Sequence, residues 1–316
     1  MKSLPTLQAH GGTIPGRYWT EFSALRDLCV LPHSARILSF GCSSGDELFT
    51  IREFFPDASI VGCDVDPARV DIAKRRTSGW ATVFVATPSA IRDTGPFDIV
   101  VANSVLMDSS RQNGVDAQAW LDIVSLLTEA LAAGGLLQII NSNIAFRRHP
   151  HAKDFAPLEH PLVLGSNFAS QFDLDGRFLA EGVAGLGRSA HLHRHVARDH
   201  WRDLAHTDLD HVHFEKLPAP ARAPKTKAAD ALSGPIVADG SSSYHSRPAP
   251  DASSLVDVYV EWRATAEHVL IKRLARRKWF NGESVCERQH VTYLEGADAS
   301  AFLESATARP LTPRFT

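Results

Sequence analysis

The chain has 316 residues, 44% hydrophobic, 22% charged and 8% aromatic, so it holds one large domain or two smaller ones, and its usage argues against bulk disorder, a collagen-like fold or a coiled-coil rod. Lys and Arg number 33 against 36 Asp and Glu, a net charge of -3 that gives no global attraction to nucleic acid or to an anionic membrane. No apolar stretch reaches the roughly 18–20 residues that cross a bilayer, and the start MKSLPTLQAHGG lacks the basic-then-apolar plan of a secretion signal, so a cytoplasmic protein is expected. Cys29, Cys42, Cys63 and Cys286 occur singly, with no C-x-x-C pair, and are expected to be reduced packing residues.

In chain order, Phe22, Leu25 and Leu28 or Cys29 recur at helical spacing between Tyr18 and Leu31, and Pro32 ends that helix. A-R-I-L-S-F (35–40) is a short apolar strand that breaks at G-C-S-S-G (41–45), after which Leu48, Ile51 and Phe55 return to helical spacing. S-I-V-G-C (59–63) is a second strand, and Asp66 caps a helix that begins at Pro67. A-T-V-F-V-A (81–86), F-D-I-V-V-A-N (97–103), a helix over about 117–132, the turn at 134–135 and L-L-Q-I-I-N (136–141) follow. Continuously apolar strands alternating with helices predict an α/β fold, a doubly wound and mostly parallel sheet of seven-strand (Rossmann-like) type, with a core at residues 1–141.

Beyond Asn141 the pattern weakens. F-D-L-D-G-R-F-L (172–179) reads as a hairpin turning at Asp175-Gly176, H-V-H-F-E-K-L (211–217) as a strand, and a helix around 198–206 would join them. Residues 142–217 are expected to supply a substrate cover and later sheet elements. Pro, Ala, Ser and Gly make up 23 of the 36 residues from 218 to 253, the composition of a flexible linker or insertion. The segments at 255–262, 267–274 and 289–294 in the C-terminal stretch 254–316 either complete the sheet or form a small separate module.

In an open α/β sheet, ligands bind beyond the carboxyl ends of the strands, where the strand order switches. There the chain offers Gly41-Cys42-Ser43-Ser44-Gly45 in front of a helix start and, 23 residues past Gly41, Asp64 at the end of the second strand, suited to two ribose hydroxyls. The glycine spacing G-x-x-x-G fits neither the dinucleotide nor the triphosphate loop, and no Gly-Lys pair exists, so a nucleoside without phosphates is the better ligand.

These residues resemble the class I S-adenosylmethionine-dependent methyltransferases. The likeness covers about residues 17–141 and rests on four motifs in order: I-L-S-F-G-C-S-S-G-D-E (37–47), G-C-D-V-D-P (62–67), F-D-I-V-V-A-N-S-V-L-M (97–107) and L-A-A-G-G-L-L-Q-I-I (131–140). Ser39 and Ser43 stand where the family usually has an acidic residue and a glycine. The loop G-C-S-S-G-D-E looks most like the chemotaxis-receptor glutamate methyltransferases, without a match to their N-terminal helical domain. By position, the resemblance implies S-adenosylmethionine as cofactor, with Gly41, Cys42, Ser43 and Gly45 around its methionine part, Asp64 on the ribose and Val65 against adenine. It further implies Thr87 near the adenine amino group, Asn103, Ser104 and Leu106 on the floor near the methyl, and Arg17 or Tyr18 over the methionine carboxylate.

Methyl transfer needs a base only when the nucleophile is protonated; Glu47, His149 and His151 are candidates, and no catalytic residue is assigned. Seven of the fifteen histidines, 191, 193, 195, 200, 206, 211 and 213, fall within 23 residues, yet no Cys or tight carboxylate set accompanies them, so no metal is expected. Lys272, Arg273, Arg276, Arg277 and Lys278 beside Trp279 and Phe280 are expected to form a solvated face rather than a nucleic-acid contact. The expected activity is transfer of a methyl group to an O or N of a small molecule; protein carboxylate or RNA methylation, and a non-catalytic cofactor-binding module, are the alternatives. Oligomeric state is left open.

Overall fold

The computed structural model describes residues 4–8, 10–31, 33–108, 115–158, 160, 169–180, 212–218, 235–246, 254–279 and 284–307. Its first half alternates as the apolar runs require: α1 (Trp19–Leu28), β1 (Arg36–Phe40), α2 (Asp46–Phe54), β2 (Ser59–Asp64), α3 (Pro67–Thr77), β3 (Thr82–Val85), α4 (Pro88–Thr94), β4 (Phe97–Asn103), α5 (Ala117–Glu129) and β5 (Leu131–Ile140). Two short 3-10 turns, Phe146–Arg148 and Pro150–Asp154, lead into β6 (Phe155–Leu158), and β7 (Gln171–Phe172) pairs with β8 (Phe178–Ala180) as the hairpin that Asp175-Gly176 predicts. β9 (His213–Lys216), β10 (Ala238–Ser246), β11 (Ser254–Ala264), β12 (His268–Trp279), β13 (Ser284–Glu295) and α6 (Gly296–Thr307) complete the chain.

The main sheet has seven strands in the order β3-β2-β1-β4-β5-β9-β6; β9 runs antiparallel to both of its neighbours and the first five strands are parallel. The fold is the expected Rossmann-like doubly wound α/β sheet. Alternate residues of each strand enter opposite layers: Ile37, Ile60 and Ile99 join Phe22, Leu25, Leu48, Ile51 and Val70 on the α1–α3 side, while Leu38, Val61, Val100 and Leu137 join Ile91, Trp120, Ile123 and Leu127 on the α4–α5 side. Each fully buried Leu- or Ile-sized side chain contributes about 1.5–3 kcal/mol, so two such layers on one sheet make the core that the apolar strands imply.

Helix starts follow local chemistry. Asp66 accepts from the Ala68 N–H at 2.9 Å with Pro67 at the first helical position, and Asp116 accepts from Ala119 N–H at 3.0 Å. Thr87 accepts from Ala90 N–H at 3.1 Å and caps α4, a helix absent from the sequence reading.

The C-terminal strands divide between two sheets. The 211–217 segment supplies β9 to the main sheet, whereas the 267–274 segment lies in β12 of a separate antiparallel sheet, β10-β11-β12-β13. Val260, Trp262, Val269, Ile271 and Leu294 of that sheet bury against α6 and against Val30 and Leu31. One-sided burial of alternating residues suits an antiparallel sheet better than a central parallel position. Of the stretch expected as a linker, residues 238–246 form β10 by pairing along β11 from Ala238↔Ala264 to Ser246↔Val256. Its Ser-rich sequence has low strand preference, and the partner strand supplies what propensity does not. The expected helix at 198–206 and the histidines from 191 to 211 lie outside the described residues.

A buried ion pair ties the two sheets together. Arg273 Nη1 lies 2.8 Å from Glu215 Oε1 on β9, Arg273 Nε donates to the Leu28 carbonyl at 2.8 Å, and Thr292 Oγ1 donates to Glu215 Oε2 at 2.6 Å. Arg273 is therefore an internal link, not part of a solvated basic face. Among the described residues, no helix is long and apolar enough to cross a membrane, and no group of three His, Cys, Asp or Glu is placed to hold a metal ion.

Candidate active site

A cavity of about 530 Å³ opens at the carboxyl ends of β1, β2 and β4, where the strand order turns from β1 to β2 on one side and to β4 on the other. Its base is the loop after β1. Gly41 takes a left-handed backbone (φ 79°), and a Cβ there would stand 2.5 Å from Val105 Cγ2, so the loop can approach β4 this closely only as glycine. Ser43, at φ 50°, also adopts the left-handed region, and the reason is visible in its bonds. Its N–H donates to Asp64 Oδ2 at 2.8 Å, and its hydroxyl donates to the Gly11 carbonyl at 2.8 Å.

Asp64, at the end of β2, is nearly buried and is held from both sides, since its Oδ1 also accepts from the Asp66 N–H at 2.9 Å. Two backbone donors fix the carboxylate while leaving further acceptor capacity toward the cavity. Residues 5–8 and 10–13 line the cavity as a strap, with the Arg69 guanidinium lying over the Cα of Gly11.

Glu47, in the first turn of α2, lines the cavity together with Arg17. Ser39 Oγ donates to its Oε1 at 2.7 Å and Asn103 Nδ2 to its Oε2 at 2.8 Å. Burial pushes its carboxyl above the usual range, while those two bonds and the Arg17 charge pull it back. Serine at 39 thus has a role: at the β1 position where the family it resembles usually carries an acidic side chain, a hydroxyl holds the acid of α2.

Within reach of the Glu47 charge, Tyr18 OH and Ser104 Oγ are hydrogen-bonded, Asn141 Nδ2 donates to Ser104 Oγ at 2.7 Å and Arg17 Nη2 donates to it at 3.4 Å. Burial pushes the Tyr18 phenol up to about 12, so it stays protonated at neutral pH.

Tyr18, Gly41, Cys42, Ser43, Asp64, Val65, Asn103 and Ser104 therefore line one cavity, together with Arg17 and Glu47. Three residues expected at the cofactor, Gly45, Thr87 and Leu106, lie off it. Gly45 starts α2 at φ 92°, where a Cβ would stand 3.2 Å from Ala73 Cβ, so its place is the close packing of α2 on α3. Thr87 spends its hydroxyl on the α4 cap. Leu106 is fully buried, and its neighbours Val105 and Met107 reach the cavity in its stead. His149 and His151 do not line it: His149 Nε2 lies 3.2 Å from both Ser125 Oγ and the Leu121 carbonyl, and His151 Nδ1 lies 2.7 Å from Thr128 Oγ1, which ties both rings to α5. The strap, Arg69 and Asn141 escaped the sequence reading; the Gly11-Gly12 pair was the one local signal of a close backbone approach.

Residues 38–137 match the family model described as a methyltransferase domain. A curated relative, the trans-aconitate 2-methyltransferase of Methylobacterium nodulans, is 28% identical over 109 residues, which cover 33% of this chain and 37% of that protein. The chain thus matches little more than a third of that relative's length. Among solved structures, an amino pentose methyltransferase from Micromonospora echinaspora aligns over 94% of this chain and 84% of its own at 13% identity and a TM-score of 0.33. A sugar N-methyltransferase from Streptoalloteichus aligns over 98% and 90% at 14% identity and a TM-score of 0.29. The matched segment contains Gly41, Ser43, Glu47, Asp64, Asn103 and Ser104; Arg17, Tyr18 and Asn141 lie outside it.

Proposed function

We propose that the chain is an S-adenosylmethionine-dependent methyltransferase that methylates an O or N of a small-molecule acceptor. The observation that carries this reading is the Asp64 carboxylate, fixed by the Ser43 and Asp66 N–H groups in a cavity at the strand switch point. The match of residues 38–137 to a methyltransferase domain supports it.

The lining suits a sulfur nucleoside. Asp64 would accept from the ribose hydroxyls, Val65 would lie against the adenine, and the Gly41–Ser43 backbone would follow the methionine chain. Glu47 would face the α-ammonium, a cation that offsets the cost of keeping this carboxylate ionised. Bound there, the cofactor supplies a methyl group on a sulfonium whose charge disappears on transfer, so the protein's part is alignment and exclusion of water. The strap lines the cavity, and Leu7, Phe40, Val105, Met107 and Ile123 give apolar walls. An RNA acceptor loses support because Arg273 of the basic run is committed to Glu215.

Equilibrium dialysis with radiolabelled S-adenosylmethionine, competed by S-adenosylhomocysteine and separately by NAD, tests the cofactor. Displacement by S-adenosylhomocysteine alone is expected; displacement by NAD, or no binding by folded protein, contradicts the reading.

A further inference from the structure

Side chains alone join Glu47 to a histidine on the antiparallel strand β9. Asn103 on β4 lies between Glu47 Oε2, at 2.8 Å, and Gln138 on β5, at 3.0 Å, and Gln138 Oε1 meets His213 Nε2 at 2.9 Å. Asn103, Gln138 and His213 are buried, so their polar atoms find partners inside the protein.

The histidine decides which way the run can point. Burial holds His213 neutral, with a pKa of about 3, so the ring carries one N–H. Two carbonyl oxygens face it, Gln138 Oε1 at Nε2 and the backbone carbonyl of Glu21 on α1. When Glu21 takes the proton, Nε2 and Gln138 Oε1 meet lone pair to lone pair. A half-turn of both side-chain amides removes that conflict. Gln138 then donates to Nε2, Asn103 donates to Gln138, and Asn103 Oδ1 accepts from Glu47, which has to carry a proton. Two self-consistent orders result. One has an ionised Glu47 and the ring proton on Nε2; the other has a protonated Glu47 and the ring proton on the Glu21 side.

We infer that Gln138 and His213 are positioning residues for the cofactor's ammonium, reversing the Asn103 amide when Glu47 changes charge. The inference rests on the cofactor reading above, in which Glu47 faces that ammonium. Without cofactor, burial favours the protonated carboxyl, whose O–H donates to Asn103. The ammonium holds Glu47 ionised: its proton leaves to solvent, both amides turn, and the ring gives up its proton on the Glu21 side and gains one at Nε2. The ring stays neutral throughout. Ser39 Oγ donates to Glu47 Oε1 in either order, and Arg17, Tyr18 and Cys42 are the other titratable groups that feel this carboxyl. At the far end His160, 3.4 Å from Asp27, faces His213 and opposes a second proton on it. The ring therefore answers by moving its proton rather than by charging.

The test uses the full chain with nitrogen-15 in its imidazole rings, free and saturated with S-adenosylhomocysteine at pH 5. The signals of His213 are those missing from His213→Gln; should that variant not fold, Gln138→Met identifies the same ring through the shift of Nε2. In the free chain Nε2 should be unprotonated, and the ligand should bring a proton to it. Gln138→Met should bind the ligand without that change. Calorimetry at pH 5 in two buffers of different ionisation heat should show release of up to about one proton per chain, shrinking toward none at pH 7. The inference is overturned if Nε2 has the same protonation in both states, if the ring becomes charged, or if no proton is released at pH 5. A proton shift that persists in Gln138→Met also overturns it, since the signal would then reach His213 by another route. Failure of the wild-type chain to bind S-adenosylhomocysteine would strike the cofactor reading itself.

Discussion

The side-chain amide of Asn103 donates to Glu47 at 2.8 Å, and this bond ends a run of donors that crosses four adjacent elements of the fold. Gln138 Nε2 on β5 donates to Asn103 Oδ1 at 3.0 Å, and Gln138 Oε1 lies 2.9 Å from His213 Nε2 on β9. Burial holds the His213 pKa down at about 3, so the ring is neutral. The antiparallel strand β9 thus reaches the cavity through side chains, and the amide N–H groups of Gln138 and Asn103 point toward the Glu47 carboxylate. Bonds aligned this way polarise one another and favour the ionised acid against the cost of its burial.

Glu47→Gln separates that cost from its use. With a native pKa above its unfolded value, Glu47 leaves the folded state holding more protons over the window from the usual carboxylate range up to the raised value. Stability is accordingly lost as pH rises through that window. The ligand-free variant is expected to melt a few degrees above wild type at pH 8, with a smaller difference at pH 5. Its affinity for S-adenosylhomocysteine should fall about tenfold or more at pH 8 as the partner of the ammonium is lost. Calorimetry at the two pH values reads both effects.

Gly41→Ala tests the loop. Left-handed backbone costs an alanine about 1–2 kcal/mol, and the Val105 clash at 2.5 Å adds roughly 1–3 kcal/mol. Gly176→Ala, at φ 77° with open space around it, carries the backbone cost alone. Urea midpoints should show the first variant as the less stable, and equal midpoints would contradict the close approach of loop and β4.

Glu215→Ala leaves Arg273 buried without its carboxylate and is expected to destabilise the protein by about 3–5 kcal/mol. Because Arg273 and Thr292 belong to the antiparallel sheet and Glu215 to the main one, hydrogen exchange should quicken first in β12 and β13. Unchanged protection there would mean that apolar packing alone holds the two sheets together.

What the sequence disclosed and what it hid have separate causes. F-D-I-V-V-A-N and its neighbours are apolar throughout because parallel strands are covered on both faces, and that property is local. Asp64 was legible for the same reason: strand, loop and acid lie within one βαβ unit. The cap at Thr87 was hidden because a threonine before proline suits both a ligand contact and a helix cap, and sequence does not show which way the hydroxyl turns. The strap was hidden because its anchor, Ser43 to Gly11, joins residues 32 apart with no periodic pattern between them. β10 was read as linker because a Ser-rich strand owes its form to β11. Asn141 was read as the end of a strand, and its bond to Ser104 is a contact between neighbouring strands that spacing does not encode.

The most direct test of the central claim is calorimetric titration of S-adenosylhomocysteine into the wild-type chain and into Asp64→Ala. Asp64 is nearly buried and bonded to Ser43 and Asp66, so folding of the variant is checked by circular dichroism. Wild type should bind, and the folded variant should bind roughly 30- to 1000-fold more weakly, the loss of one or two charge-assisted hydrogen bonds to the ribose. Equal binding by the two, or none by wild type, would contradict the placement of a sulfur nucleoside on the end of β2.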